Sequence, residues 1–301
     1  MFFRHRTPPD LPGAVDLASR NGVLVLAVGP ARYHRMAAAL LISIRRCHPD
    51  WPLAAATDRP HLLRHFVDVI VPVAIPPAGP YGLKLALNEL SPFGRTLLLD
   101  ADSLMVRPVP QVWDWFASQP VGVIGYNVAD GEWFGRDIAD ICREVGTATL
   151  PKFNGGLIHF DRSQSARVVF ADARAFHRRY LELGFELFRG TSADEPMLAM
   201  ALAKHGIRAR VDVELQQYRT TRNAVGPVHL DVLRQVCMFN HGGEVVQPGI
   251  VHFAGERDSH VYRREVQALL LYGRGVPAPV TRLIRRIHRA SSWPAHPSSS
   301  P

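Results

Sequence analysis

Two near-continuous apolar runs constrain this chain most: "GVLVLAVG" at 22–29 and "RTLLLDADSLMV" at 95–106, with helical sequence between them. An apolar run without polar alternation marks a strand covered on both faces, as in a parallel sheet. The first run ends at Gly29-Pro30. The stretch "RYHRMAAALLISIRRCHP" (32–49) then has the length and composition of a helix stopped by Pro49. "PLAAATD" (52–58) and "DVIVPVAI" (68–75) read as two further strands, and "GLKLALNEL" (82–90) as a short helix before the second run. Strand, helix, strand in succession predicts a doubly wound α/β sheet that binds ligands at the C-terminal ends of its strands. Asp58 and Asp100 both fall at such ends.

The second run closes on two acids one residue apart. In extended backbone successive side chains alternate faces, so Asp100 and Asp102 are expected to point the same way and Ala101 the opposite way. Two like charges on one face repel unless a metal, an arginine or water lies between them.

Composition narrows the function classes. The chain has 301 residues and a formal charge of +8, with only three lysines among its 35 basic residues. Five arginines and no acid follow from Arg274 onward, so the body is only mildly basic. No basic stripe interleaved with aromatics is visible, which argues against a nucleic-acid partner. The apolar runs are too short to cross a membrane, and the N-terminus lacks the apolar core of a signal peptide. Cys47, Cys142 and Cys237 are few and widely spaced, which fits a reducing, cytoplasmic setting.

Three further stretches stand out. "LPKFNGGLIHFDRS" (150–163) reads as a turn at Asn154-Gly155-Gly156 before a short strand. It is either a tight loop or a place where paired glycines let a ligand approach the backbone. In "TSADEPMLAMALAKHG" (191–206), Ser192 or Asp194 can cap a helix, and Asp194 and Glu195 suit its positive end. "GIVHFAGERDS" (249–259) brings His252 out of an apolar stretch, where a histidine is ordinarily a satisfied core residue.

In this order, "LLLDADSLMV", "FNGGLIHF", "ADEPMLAMAL" and "VHFAG" resemble the GT-A glycosyltransferases, in particular retaining family 8 and its glycogenin-like relatives. The resemblance runs from about residue 22 to about 262. It implies a Rossmann-like α/β domain with a mixed, mostly parallel sheet flanked by helices. It implies a nucleotide-sugar donor held through Mn²⁺ or Mg²⁺, with Asp100, Asp102 and His252 as ligands. Two carboxylates and an imidazole suit Mn²⁺ better than oxygen-preferring Mg²⁺. Ala27, Val28 and Tyr33 match the family's base-binding region, and Ala101 lies within its DxD triplet. Lys84 falls where the family has a basic residue near the donor sugar, and Asn154, Gly155 and Gly156 match the loop lining the sugar pocket. Asp194 matches an acid that contacts sugar hydroxyls. Glu195 stands where the family commonly has Gln, near the reacting carbon. The family often follows the His motif, here completed by Gly255, with a diphosphate-gripping Lys. This chain has none there, and Arg257 is the candidate substitute.

The resemblance thus implies a hexosyltransferase acting on a glycan or glycolipid acceptor. Two other classes compete. "LLLDADSL" is also similar to the first motif of haloacid-dehalogenase-like phosphatases, and the fold could serve a non-catalytic nucleotide-sugar-binding protein. The expected organisation is one domain over 1–275 and an extension over 276–301. Within the extension, "PAPVTRLIRRIHRA" (277–290) spaces Val280, Leu283, Ile284 and Ile287 as one helical face among arginines. Such a helix could lie on an anionic membrane surface and place the protein at its cytoplasmic face.

Overall fold

The computed structural model describes residues 16–75, 79–211, 217–254 and 259–287. Its strands are Asn21–Ala27 (β1), Leu53–Thr57 (β2), Val69–Pro72 (β3), Arg95–Asp100 (β4), Ser103–Met105 (β5) and Val121–Val128 (β6). Then come Glu132–Trp133 (β7), Arg136–Asp137 (β8), Leu150–Asp161 (β9), Tyr218–Thr220 (β10), Ala224–Asp231 (β11), Val236–His241 (β12), Glu244–Val246 (β13) and Ile250–His252 (β14). The helices are Ala31–Cys47 (α1), Pro60–Leu63 (α2), Pro80–Lys84 (α3), Leu87–Leu90 (α4), Ile138–Val145 (α5), Gln164–Arg178 (α6), Glu195–Lys204 (α7), His260–Gly273 (α8) and Ala278–Ile287 (α9).

Six strands form the central sheet in the order β3-β2-β1-β4-β9-β6. The first four are parallel to one another, and β9 runs antiparallel to both β4 and β6. The sheet is therefore mixed and mostly parallel. Its middle strands are apolar on both faces because both are covered: one core packs α1 and the smaller β-sheets against it, the other packs α5, α6 and α7. Leu97 and Leu99 belong to the first core and Leu98 to the second, the alternation a buried strand requires.

Three sequence expectations change. The stretch 95–106 is not one extended segment: β4 ends at Asp100, Ala101 and Asp102 form a turn, and β5 joins a second sheet in the order β10-β14-β5. Asn154-Gly155-Gly156 is not a turn but the middle of the twelve-residue strand β9, beside a register shift in its pairing with β6. The expected helix over 82–90 is two short pieces, α3 and α4. Among the described residues, no helix is long and apolar enough to cross a membrane. The three cysteines are free and buried.

Candidate active site

The topology makes a crevice where β1 and β4 adjoin and their connections leave in different directions, the expected ligand position in a doubly wound sheet. Leu26 is paired with Asp100, so Val28 and Asp100 open into the same space. The crevice widens into a cleft of about 790 Å³.

One wall is made of charged side chains held by regular structure. Asp100 ends β4, Asp102 lies in the turn before β5, and His252 ends β14, which pairs with β5 so that His252 is opposite Ser103. The two carboxylates converge because the chain turns between them, not because extended backbone alternates. One ligand atom from each of Asp100, Asp102 and His252 lies within 4.8 Å of the others.

The histidine's partners test whether this trio fits a cation. The Gly156 N–H can only donate, and it donates to Asn154 Oδ1 at 3.2 Å. That oxygen is an acceptor, so His252 Nδ1, 2.5 Å from it, carries a proton. Nε2 then faces Asp102 Oδ1 at 2.9 Å and Asp100 Oδ2 at 3.8 Å. A neutral imidazole would aim a lone pair at carboxylate lone pairs, so the gap requires a second proton or a metal ion. With the proton, burial would lower the His252 pKa, but Asp102 outweighs it and the pKa is raised. Burial likewise opposes the charge on Asp102, yet His252 holds that carboxyl below its ordinary value. Orienting a histidine through a bond to its other ring nitrogen is the usual support for a metal ligand. Asn154 supplies that bond, and the buried Tyr218 hydroxyl donates to the same oxygen at 3.3 Å.

Lys84 ties the wall together. It is buried, with Nζ 2.7 Å from Asp100 Oδ1, 3.4 Å from Asp194 Oδ2 and 3.0 Å from the Gly155 carbonyl that accepts from it. Burial would discharge it, but Asp100 and Asp194 keep its pKa raised. Asp194 starts α7 without a side-chain capping bond; its carboxylate serves Lys84 instead. Glu195 Oε1 accepts from the Gly155 N–H at 2.7 Å. Burial, with Asp194 adding to it, pushes the Glu195 carboxyl up to about 7 against the opposing Gly155 N–H and Lys84. The paired glycines make room for these side chains. A Cβ on Gly156 would stand 2.1 Å from His252 Nδ1, and one on Gly155 would press on Lys84 and Glu195.

Solved structures now bear on the site's setting. No protein-family model matches the chain, and no curated protein matches it. An active-site mutant of LgtC with glutamate replacing a glutamine is similar in structure, at 16% identity and a TM-score of 0.57, over 86% of this chain and 98% of that one. The galactosyltransferase LgtC in complex with donor and acceptor sugar analogues is similar at 15% identity and a TM-score of 0.53, over the same shares. The bifunctional glycosyltransferase WbbM, in its apo form, matches at 13% and 0.51 over 79% of this chain and 46% of its own. The fold is GT-A. At these identities the likeness is one of fold, and it sets aside the dehalogenase-like reading of the "LLLDADSL" stretch.

Within the GT-A cleft, Val28, Tyr33, Lys84, Asp100, Ala101, Asp102, Asn154, Asp194, Glu195 and His252 all line the space. Ala27 is fully buried behind it. Gly155 and Gly156 contribute from β9 through their backbone. Gly255 and Arg257 lie outside the described residues. A second wall went unread in the sequence. It consists of Trp133 and Phe134 from the β7–β8 hairpin and Phe188 and Arg189 from a bridged turn, with Tyr81 beside them. Both turns have two-residue loops with positive φ throughout: Phe134 and Gly135 at 50° and 76°, Arg189 and Gly190 at 52° and 77°. That is the mirror-image turn that favours Asn-Gly, so each bulky first residue costs about 1–2 kcal/mol in the left-handed region. Arg222 and Asn223 follow β10 and also reach the cleft.

Proposed function

We propose that this chain is a metal-dependent glycosyltransferase that moves a hexose from a nucleotide-diphospho-sugar, UDP-linked, to an acceptor hydroxyl. The observation that carries this is the convergence of Asp100, Asp102 and His252 in the crevice of a GT-A sheet, close enough for one ligand atom from each to reach a single metal ion. Mn²⁺ held there by these three residues would neutralise the leaving diphosphate. Val28, just beyond β1, and Tyr33, in the first turn of α1, are suited to the nucleoside. Arg222, two residues beyond β10, offers a guanidinium beside His252 where the family's Lys is missing. Lys84 fixes Asp100 and Asp194 and shields the donor sugar's site from carboxylate repulsion.

Glu195 is the residue assigned the active role. A carboxylate with a pKa near neutrality, aimed by a backbone N–H, is able to stabilise positive charge on the sugar or to attack its anomeric carbon, giving retention by double displacement. That an active-site mutant of LgtC, a protein of similar fold, has glutamate in place of a glutamine supports this reading.

The test is incubation of the full chain with UDP- and GDP-sugars and Mn²⁺, following release of free nucleoside diphosphate. Release from a UDP-sugar that stops with excess EDTA is the expected result. Release unaffected by EDTA would overturn the metal dependence, and release absent from every donor would overturn the reading and favour a non-catalytic binding protein.

The same reading extends to the extension over 276–301 and a glycolipid acceptor. On α9, Val280 and Leu283 remain 46% and 58% exposed, while Thr281 is the buried contact. This supports a basic amphipathic helix that lies on anionic membrane; residues 288–290 of the expected segment lie outside the described residues. Vesicle co-sedimentation should fall with truncation after Gly275 and with raised salt. Binding indifferent to both would remove the anchor.

A further inference from the structure

The aromatic wall has a composition the charged wall lacks, and it bears on what the enzyme accepts. Phe134 and Phe188 meet edge to face at 5.8 Å, and Trp133 is 5.8 Å from Phe134, so the two hairpin tips form one continuous apolar surface. The tips are locked to each other. Glu186 N donates to the Phe134 carbonyl at 2.9 Å, and the paired Phe188 and Thr191 exchange bonds of 2.8 and 3.0 Å. Such surfaces take the C–H face of a pyranose, whose hydroxyls then point around the rim. Arg189 lies over the Phe188 ring at 4.9 Å. Among the described residues its guanidinium has no carboxylate partner.

The cations lining the cleft divide by position. Lys84 is consumed by Asp100 and Asp194, and Arg222 follows the strand that pairs with β14. Of the cations that line the cleft, Arg189 is the one beside the aromatic residues; Lys152, 5.9 Å from the Trp133 ring centroid, does not line it and donates to the Glu132 carbonyl. The charged wall of the same cleft carries Asp100, Asp102, Asp194 and Glu195. An acidic group on a sugar is repelled from that side and attracted to Arg189. A sugar bearing one is therefore held with its acid outward and a hydroxyl toward the reacting centre.

From this we infer that the aromatic wall is an acceptor subsite for an anionic saccharide, a sugar with a carboxylate or a phosphate, read by Arg189 over the Trp133–Phe134–Phe188 platform. The inference rests on the glycosyl-transfer reading for the word acceptor, but its test needs no turnover.

The full chain, in EDTA so that no metal binds the probes, is titrated with glucuronic acid, glucose 6-phosphate and glucose by ligand-observed NMR. At least one acid should bind tenfold or more tighter than glucose; which acid is tighter distinguishes a uronic acid from a phosphorylated sugar. Arg189→Ala should reduce the acids to the level of glucose, Arg189→Lys should restore part of the preference, and Phe134→Ala should weaken all three sugars alike. Equal binding of the three, a preference that survives Arg189→Ala, or one lost in Arg222→Ala instead would overturn the proposal. Failure of the glycosyl-transfer reading shows separately, as absence of nucleoside diphosphate release.

Discussion

The two walls of the cleft are built by opposite means. The charged wall is held by strand ends and a helix start, and nearly every polar atom in it has a partner: Lys84 touches three groups, Asn154 Oδ1 receives three donors, and Glu195 takes a backbone N–H. The aromatic wall hangs on two mirror-image turns whose first residues are the wrong ones for that conformation. The charged groups stand where backbone hydrogen bonding over-determines the geometry, whereas the aromatic wall stands on loop tips. Phe134 and Arg189 hold left-handed backbone that the surrounding structure must sustain.

The contrast breaks most visibly at the metal trio. Asp102→Asn, or Asp100→Asn, should reduce transfer by about a thousandfold or more, the scale of losing a principal electrostatic group, and should weaken Mn²⁺ binding in calorimetry while circular dichroism stays native. His252→Ala should damage both less. Wild-type turnover in either Asn variant would separate the trio from catalysis.

Glu195→Gln comes next. If the carboxylate acts on the sugar, kcat falls by about a thousandfold, and the acid limb of the wild-type pH–rate profile, rising through about 7, disappears with it. Stability moves in the opposite sense. Between its ordinary value of 4.5 and about 7, folded Glu195 holds a proton that the unfolded chain has released, so its contribution declines as pH rises through that window. Glu195→Gln should therefore gain on the wild type in thermal stability as pH rises from 5 to 8.

Gly156→Ala sharpens the comparison without replacing a ligand. Its Cβ would meet the His252 ring, so metal affinity should drop about 10- to 100-fold, as when a ligand's supporting contact is lost. Unchanged affinity would mean that the ring has room to move. The smallest effect belongs to the other wall. Arg189→Asn places the favoured residue at the first turn position and should raise stability by about 0.5 kcal/mol by denaturant titration, where the same exchange at any charged-wall position would lower it.

What the sequence showed follows the same division. The apolar runs that became β1 and β4 and the acid pair that follows were legible because burial on two faces and charge at a strand end leave local signatures; His252 by itself read as a core histidine, and only the family resemblance singled it out. The meaning of Asn154-Gly155-Gly156 was not legible. Two glycines after an asparagine signal a turn, but here the chain stays extended through them, held by the ladders on either side: Phe153 pairs with β6, and from Leu157 onward β9 pairs with β4. The break at Ala101-Asp102 was hidden because β5 is apolar for a different sheet. Tyr218 is a lone aromatic with no pattern around it, and its role emerges only through the parallel pairing of β10 with β14. The two tight turns were unreadable for a plain reason: Phe-Gly and Arg-Gly do not look like Asn-Gly.

Strand β9 runs along the seam between the walls. Lys152 reaches the Glu132 carbonyl at 2.9 Å, and Phe153 packs on Trp133 with ring centroids 6.3 Å apart. The next three residues, Asn154, Gly155 and Gly156, serve His252, Lys84 and Glu195. One strand thus carries both anchorages, and between them its pairing with β6 slips: Phe153 pairs with Gly125, whereas Ile158 pairs with Val123, so β9 holds more residues than β6 over this stretch. Such a bulge bends a strand and re-aims its side chains. The relation of the two walls is therefore set where one strand departs from its ladder, and a residue added or removed there would move one wall against the other.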